Sequence, residues 1–131
     1  MVKEKSKWEV MKLEIGTAYV VRGAQMICDK GSEIKRINLP VSHGAYSKGN
    51  PIINENDNII GSNISTFGIC RGSCPANGSN EKTKKCQIMI LNKWMNTKED
   101  TLVEGAPALT TASILICAYG GVIRFITDGQ D

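Results

Sequence analysis

The sequence predicts an all-β fold of short strands, and three observations support this. Apolar residues come in brief alternating or β-branched runs, such as Ala18–Cys28 and Ser113–Cys117, the pattern of strands rather than of an amphipathic helix. Thirteen glycines, with many Asn, Ser and Thr, punctuate those runs, which is the composition of tight turns. No segment keeps a 3.6-residue period long enough for more than one or two helical turns. The chain of 131 residues has only two Trp, three Tyr and two Phe, so its core must come from Ile, Val, Leu, Met and Ala. A single domain of this size buries roughly two thirds of its unfolded surface.

Taken in order, residues 1–17 are charged and read as a tail or as a short helix with Trp8, Met11 and Ile15 on one face. The domain proper is expected over residues 18–131. Ala18–Cys28 reads as two short strands around Gly23. Glu33–Leu39 alternates, marked by Ile34, Ile37 and Leu39, and stops at Pro40. Val41–Asn50 is loop-rich. Asn54–Ser65 is polar around Ile59 and Ile60; its alternating Asn residues resemble a calcium loop but lack the spacing to a bidentate Glu. Gly68–Lys85 reads as a flexible surface loop. Cys86–Trp94 reads as a buried strand. Thr110 or Thr111 could cap a short helical turn, which β-branched Ile114 and Ile116 would end at once.

The first third and the last quarter echo each other. Val21-Arg-Gly-Ala24 precedes Cys28-Asp-Lys-Gly31, and Val103-Glu-Gly-Ala106 precedes Cys117-Ala-Tyr-Gly120. A repeated strand-turn unit suggests similar hairpins wrapped around an axis.

Net charge is +3, and the 16 basic residues are scattered, with small clusters at Lys3–Lys7 and Lys82–Lys85. A nucleic-acid binder concentrates such charge on one face, so none is expected as a partner. No apolar run is long enough for a membrane span, and the N-terminus lacks the apolar core of a secretory signal. The expected compartment is the cytoplasm, with any export by another route. There the five cysteines are expected as thiols or metal ligands.

His43 is the one histidine. A Ser-His-Asp or Cys-His catalyst would need it, yet it sits in the turn Ser42-His43-Gly44, where a structural role is the commoner one. No Gly-x-Ser-x-Gly elbow or P-loop occurs. The chain is therefore read as a non-enzyme.

Tyr19-Val-Val-Arg-Gly-Ala24, Asn63-Ile-Ser-Thr-Phe-Gly-Ile-Cys70, Trp94 and the ending Val103-Glu-Gly-Ala-Pro-Ala-Leu-Thr110, Cys117, Gly120-Gly121 and Asp128-Gly129-Gln130 resemble the PAAR-like family. These proteins tip the spike of contractile injection systems, such as type VI secretion and phage-tail-like particles. Pro107-Ala108-Leu109-Thr110 stands where the family has Pro-Ala-Ala-Arg. The resemblance covers about residues 18–130, outside the loop 71–85. It implies a compact cone of β-hairpins with pseudo-threefold wrapping. It also implies a broad base docked on a trimeric VgrG-like spike, one copy per trimer, and ejection with the spike together with any effector cargo. Val103, Leu109, Ile123 and Phe125, in the motif-rich end, are the candidate spike-binding residues. Founding members hold a metal near the apex with three His and one Cys. This chain has one His, so cysteines would have to stand in.

Cys28, Cys70, Cys86 and Cys117 are expected to meet. Cys28 and Cys117 occupy equivalent points, each three residues before a Gly, while Cys70 and Cys86 flank the loop 71–85. Cys74 lies inside that loop, before Pro75, and is expected to be exposed and apart. Such a quartet could hold zinc, with Zn–S near ~2.3 Å. It could also pair as two disulfides after export, or serve as buried packing. The alternative to a spike tip is a cytoplasmic metal-binding or adaptor module that links an effector to a carrier.

Overall fold

The computed structural model describes residues 17–76, 80 and 82–130. The expected tail or helix carrying Trp8, Met11 and Ile15 lies outside them. The described residues are all-β, with no helix. Strands β1 (Gln25–Cys28), β2 (Lys35–Arg36), β7 (Ile114–Ile116) and β8 (Val122–Phe125) form one antiparallel sheet in the order β2-β1-β8-β7. Strands β3 (Tyr46–Ser47) and β4 (Asn50–Pro51) form a hairpin, and β5 (Lys98–Val103) and β6 (Ala106–Ala108) form another.

The β1–β8 ladder joins the two ends of the domain, with Met26 opposite Phe125 and Cys28 opposite Ile123. Alternation sets its inner face: Met26, Leu115, Ile123 and Phe125 are buried, while Arg124 points outward. With Phe67, Ile37, Ile53 and Trp94 they make the main core. Trp94 stacks on Phe125 at a ring separation of 4.9 Å and donates its indole N–H to the Asp57 carbonyl at 3.0 Å. A smaller cluster of Val21, Ile52, Val103 and Ala108 joins the two hairpins.

The echo noticed in the sequence is structural. Gly31 N–H donates to the Cys28 carbonyl at 2.9 Å, and Gly120 N–H to the Cys117 carbonyl at 3.0 Å. Each Cys-x-x-Gly is thus a tight turn leaving a strand. Val21 and Val103 share the smaller cluster. The second Val-x-Gly-Ala unit is the β5–β6 turn, where Glu104 has φ 50° and Gly105 φ 82°. Two left-handed residues in succession match the twist of a hairpin and favour Gly.

Other segments differ from expectation. Val41–Asn50 carries all of the β3–β4 hairpin but Pro51, and the hairpin turns through Lys48 and Gly49 with positive φ. Cys86–Trp94 is not a strand. Single bridges tie it to the β7 edge, Ile90 to Cys117 just past β7 and Met95, the residue after the segment, to Ile114. Five residue steps on one side face three on the other, so the segment bows outward and Leu91 is exposed. Within Glu33–Leu39 only Lys35–Arg36 pairs as a strand, and Ile34 faces solvent. The threonine cap signal is realised as one isolated turn: Thr110 N–H donates to Ser113 Oγ, and Ser113 N–H to the Thr110 carbonyl. β7 begins immediately afterwards.

Candidate functional site

The Cys28 and Cys117 turns stand side by side because β1 and β7 flank β8. Between them lies Gly121, where an added Cβ would fall 2.5 Å from Cys28 Sγ and 3.7 Å from Cys117 Cβ. The absent side chain is what lets the sulfur sit there. Gly31 is equally constrained, with its Cβ position 2.5 Å from Phe67 Cβ and 2.9 Å from the Phe67 carbonyl oxygen.

The segment 68–74 closes over this end of the sheet. Arg71 N–H donates to the Lys30 carbonyl and Ser73 N–H to the Tyr119 carbonyl, while Cys70 N–H and Cys86 N–H bond to Lys84 and Gly68 carbonyls. These anchors pull both sides of the loop inward. Lys84 is buried and its ammonium donates to the Gly72 carbonyl at 2.6 Å. The described parts of the loop are therefore held against the sheet, contrary to the flexible surface loop expected.

All five thiols, Cys28, Cys70, Cys74, Cys86 and Cys117, line one small cavity of about 10 Å³, the space of roughly one water-sized sphere. Phe67, Ile88 and Ile123 complete much of its wall. The four cysteines expected together thus line the same cavity. The exclusion of Cys74 is corrected: it is only 3% exposed and lines the same cavity. Its sulfur accepts the Gln87 N–H at 3.4 Å, and the chain turns out to solvent only at the next residue, the exposed Pro75. Its close spacing to Cys70 was the available signal.

The thiols differ electrostatically. Burial pushes Cys28 up, outweighing the Lys30 backbone N–H, and Asp29, Cys117 and Cys86 push the same way. Burial also opposes ionisation of Cys70. Hydrogen bonds from the Cys74 thiol and from the N–H groups of Gly72 and Cys74, with the charge of Lys84, outweigh it and bring Cys70 below its ordinary value. Cys74 is pushed up to about 11 by burial and by its hydrogen bond to Cys70.

As a donor set, soft sulfurs with no carboxylate in the lining suit zinc rather than calcium or magnesium. Among the described residues, no three Cys, His, Asp or Glu side chains already stand as a metal shell. The chemistry of the residues fits the metal; the thiols would have to draw together to hold it.

His43 lies elsewhere, with its side chain 17% exposed. Its Nδ1 meets Glu104 Oε1 at 2.5 Å and its Nε2 meets Asp57 Oδ2 at 2.8 Å. Asp57 also accepts the Asn54 N–H at 2.8 Å. The ring thus clamps the loop after Pro40 to the β5–β6 turn. Sequence reading missed both of its partners, which lie 14 and 61 residues away.

The four candidate spike-binding residues are also corrected. Val103, Leu109, Ile123 and Phe125 are all buried in the two cores. Their motif-rich segment is conspicuous because it packs, so none of them can form a docking face in the folded chain.

Residues 20–130 match the family model described as Domain of unknown function (DUF4280). The chain belongs to this family. The match takes in every strand and all five cysteines of this DUF4280 protein. No curated protein and no solved structure matches it. No helix is long and apolar enough to cross a membrane among the described residues.

Proposed function

We propose that this protein is a non-enzymatic spike tip that caps a trimeric VgrG-like spike, one copy per trimer, in a contractile injection system. On this reading it is assembled in the cytoplasm, ejected with the spike, and able to take effector cargo with it. The observation that carries the reading is the coincidence of two extents. The family match over residues 20–130 covers the stretch that resembles PAAR-like tips, and that stretch is built of short hairpins without a helix among the described residues.

A polarity along the main sheet supports it. The pair Cys28 and Ile123 marks one end of the β1–β8 ladder, where the thiol cavity lies. At the other end residues 19–21 meet residues 128–130. Val21 N–H donates to the Asp128 carbonyl at 3.0 Å, and Gln130 Nε2 to the Tyr19 carbonyl at 2.8 Å. Ser47 Oγ donates to Gln130 Oε1, and the Tyr19 hydroxyl lies 3.2 Å from the Thr101 hydroxyl. Both small hairpins therefore flank this junction of residues 19–21 with 128–130. Each hairpin exposes one large apolar side chain beside those contacts, Tyr46 at 57% and Leu102 at 63%. We place the base of the tip here and its apex at the thiol end.

Aromatic and aliphatic anchors of this kind dominate interface energies, with truncations costing about 1–4 kcal/mol. Tyr46→Asp combined with Leu102→Asp should abolish capture by a co-expressed trimeric spike while leaving the melting temperature nearly unchanged. Undiminished capture by a folded double variant would remove this face from the interface.

A further inference from the structure

We propose that the five-cysteine cavity is a thiolate site for one soft divalent cation of the zinc class, held by Cys28, Cys86, Cys117 and one thiolate of the Cys70–Cys74 pair. The inference concerns this chain's own sulfurs and stands whether or not the protein caps a spike. The founding family's ligands, three His and one Cys, are not available here. The one histidine is engaged by Asp57 and Glu104.

Convergence is the first argument. A lone buried thiol is ordinary packing. Here five thiols reach one cavity of about 10 Å³ from the end of β1, the 70–74 turn, the far side of that loop and the β7–β8 turn. Packing alone would be met as well by Ala or Val.

Shape is the second. Gly121 leaves room for Cys28 Sγ, and a Cβ at Gly72 would lie 2.5 Å from the Tyr119 carbonyl oxygen. Both glycines let backbone approach closely at the cavity, which leaves the sulfurs only a short way to draw together around an ion.

The surroundings are the third. Zinc with four thiolates carries a net charge of −2, which must be offset by donors around the shell. Cys70 Sγ accepts the Gly72 N–H at 3.3 Å, and Cys74 Sγ accepts the Gln87 N–H at 3.4 Å. The buried Lys84 ammonium sits beside this pair, bonded to the Gly72 carbonyl.

Tetrahedral zinc takes four ligands, and the cavity offers five sulfurs. Cys28 has both Cys86 and Cys117 as electrostatic neighbours, and Cys86 also neighbours Cys74. Cys70 and Cys74 are the two that hydrogen-bond each other. One of that pair ligates, and the other donates its S–H to the ligating sulfur. The fourth position is thus backed by a spare ligand. The ion draws the sulfurs inward and ties the ends of β1 and β7 to both sides of the loop.

The test is metal content and cobalt spectroscopy. Full-length protein purified without chelator should hold one zinc per chain. Cobalt(II) added to metal-free protein should give a near-ultraviolet thiolate charge-transfer band and the visible bands of a tetrahedral site. Cys28→Ser, Cys86→Ser and Cys117→Ser should each lower zinc affinity at least about tenfold, as should the Cys70→Ser, Cys74→Ser double variant. Either single change in that pair should keep the ion. Wild-type protein with no zinc and no cobalt band, read without any variant that could misfold, would overturn the site. So would thiol counting that finds disulfides in its place. Loss of zinc from either the Cys70→Ser or the Cys74→Ser protein alone would overturn the shared fourth position.

Discussion

His43 is held by two carboxylates from different parts of the chain. Burial disfavours its charged form, but hydrogen bonds to Glu104 and Asp57 and their charges outweigh burial and raise its pKa above 6.5. A group whose folded pKa is raised stabilises fully below its unfolded value and loses that contribution as pH rises through the folded value. The clamp should therefore weaken on the alkaline side. Melting temperatures followed from about pH 6 to about pH 9 should fall more steeply in the wild type than in His43→Ala. The same variant should lose about 1–3 kcal/mol near neutral pH, because the buried Asp57 carboxylate keeps fewer partners. Parallel pH profiles for the two proteins would remove the clamp. None of this was legible in the sequence, which shows a lone histidine in a turn. What gives it a role is the fold's placement of the β5–β6 turn against the loop after Pro40.

At the scale of elements, the glycines that fix strand ends should be the least replaceable. Gly31→Ala sets a methyl 2.9 Å from the Phe67 carbonyl oxygen, and a backbone atom cannot rotate away. In metal-free protein Gly121→Ala meets Cys28 Sγ, a side-chain atom that can rotate away. Overpacking costs about 1–3 kcal/mol, so denaturant unfolding of metal-free protein should place Gly31→Ala at the high end and Gly121→Ala lower. The reverse order would mean that the loop over Phe67 yields more readily than the β7–β8 turn. The Cys-x-x-Gly turns and the Val-x-Gly-Ala echo could be read from the sequence because turn chemistry is local. Cys86–Trp94 was misread for the same reason. Its apolar residues look like a strand, but strand pairing depends on register with β7, and the count of residues between its two bridges does not match. Cys74 was misplaced because Pro75 signals a turn without saying which side of it faces the core.

For the whole molecule, the all-β class followed from composition and punctuation, and the structure has it throughout the described residues. The motif-rich end was legible as important but not in what way. Val103, Leu109, Ile123 and Phe125 read equally well as surface or core, since an apolar residue on a short strand carries no sign of which face it takes until the partner strand is known. The corrected picture sets a thiol-lined end against an end where residues 19–21, residues 128–130 and two hairpins gather. Such polarity suits an object that docks by one end and points with the other. The central claim is that this object sits on a threefold spike, where a single chain must satisfy three symmetry-related surfaces. The most direct measurement is the mass of the complex formed on co-expression with a trimeric VgrG-like spike, by light scattering after gel filtration and by native mass spectrometry. The account predicts one chain of this protein per spike trimer. Spike trimers that emerge with none bound, or with three, would contradict it.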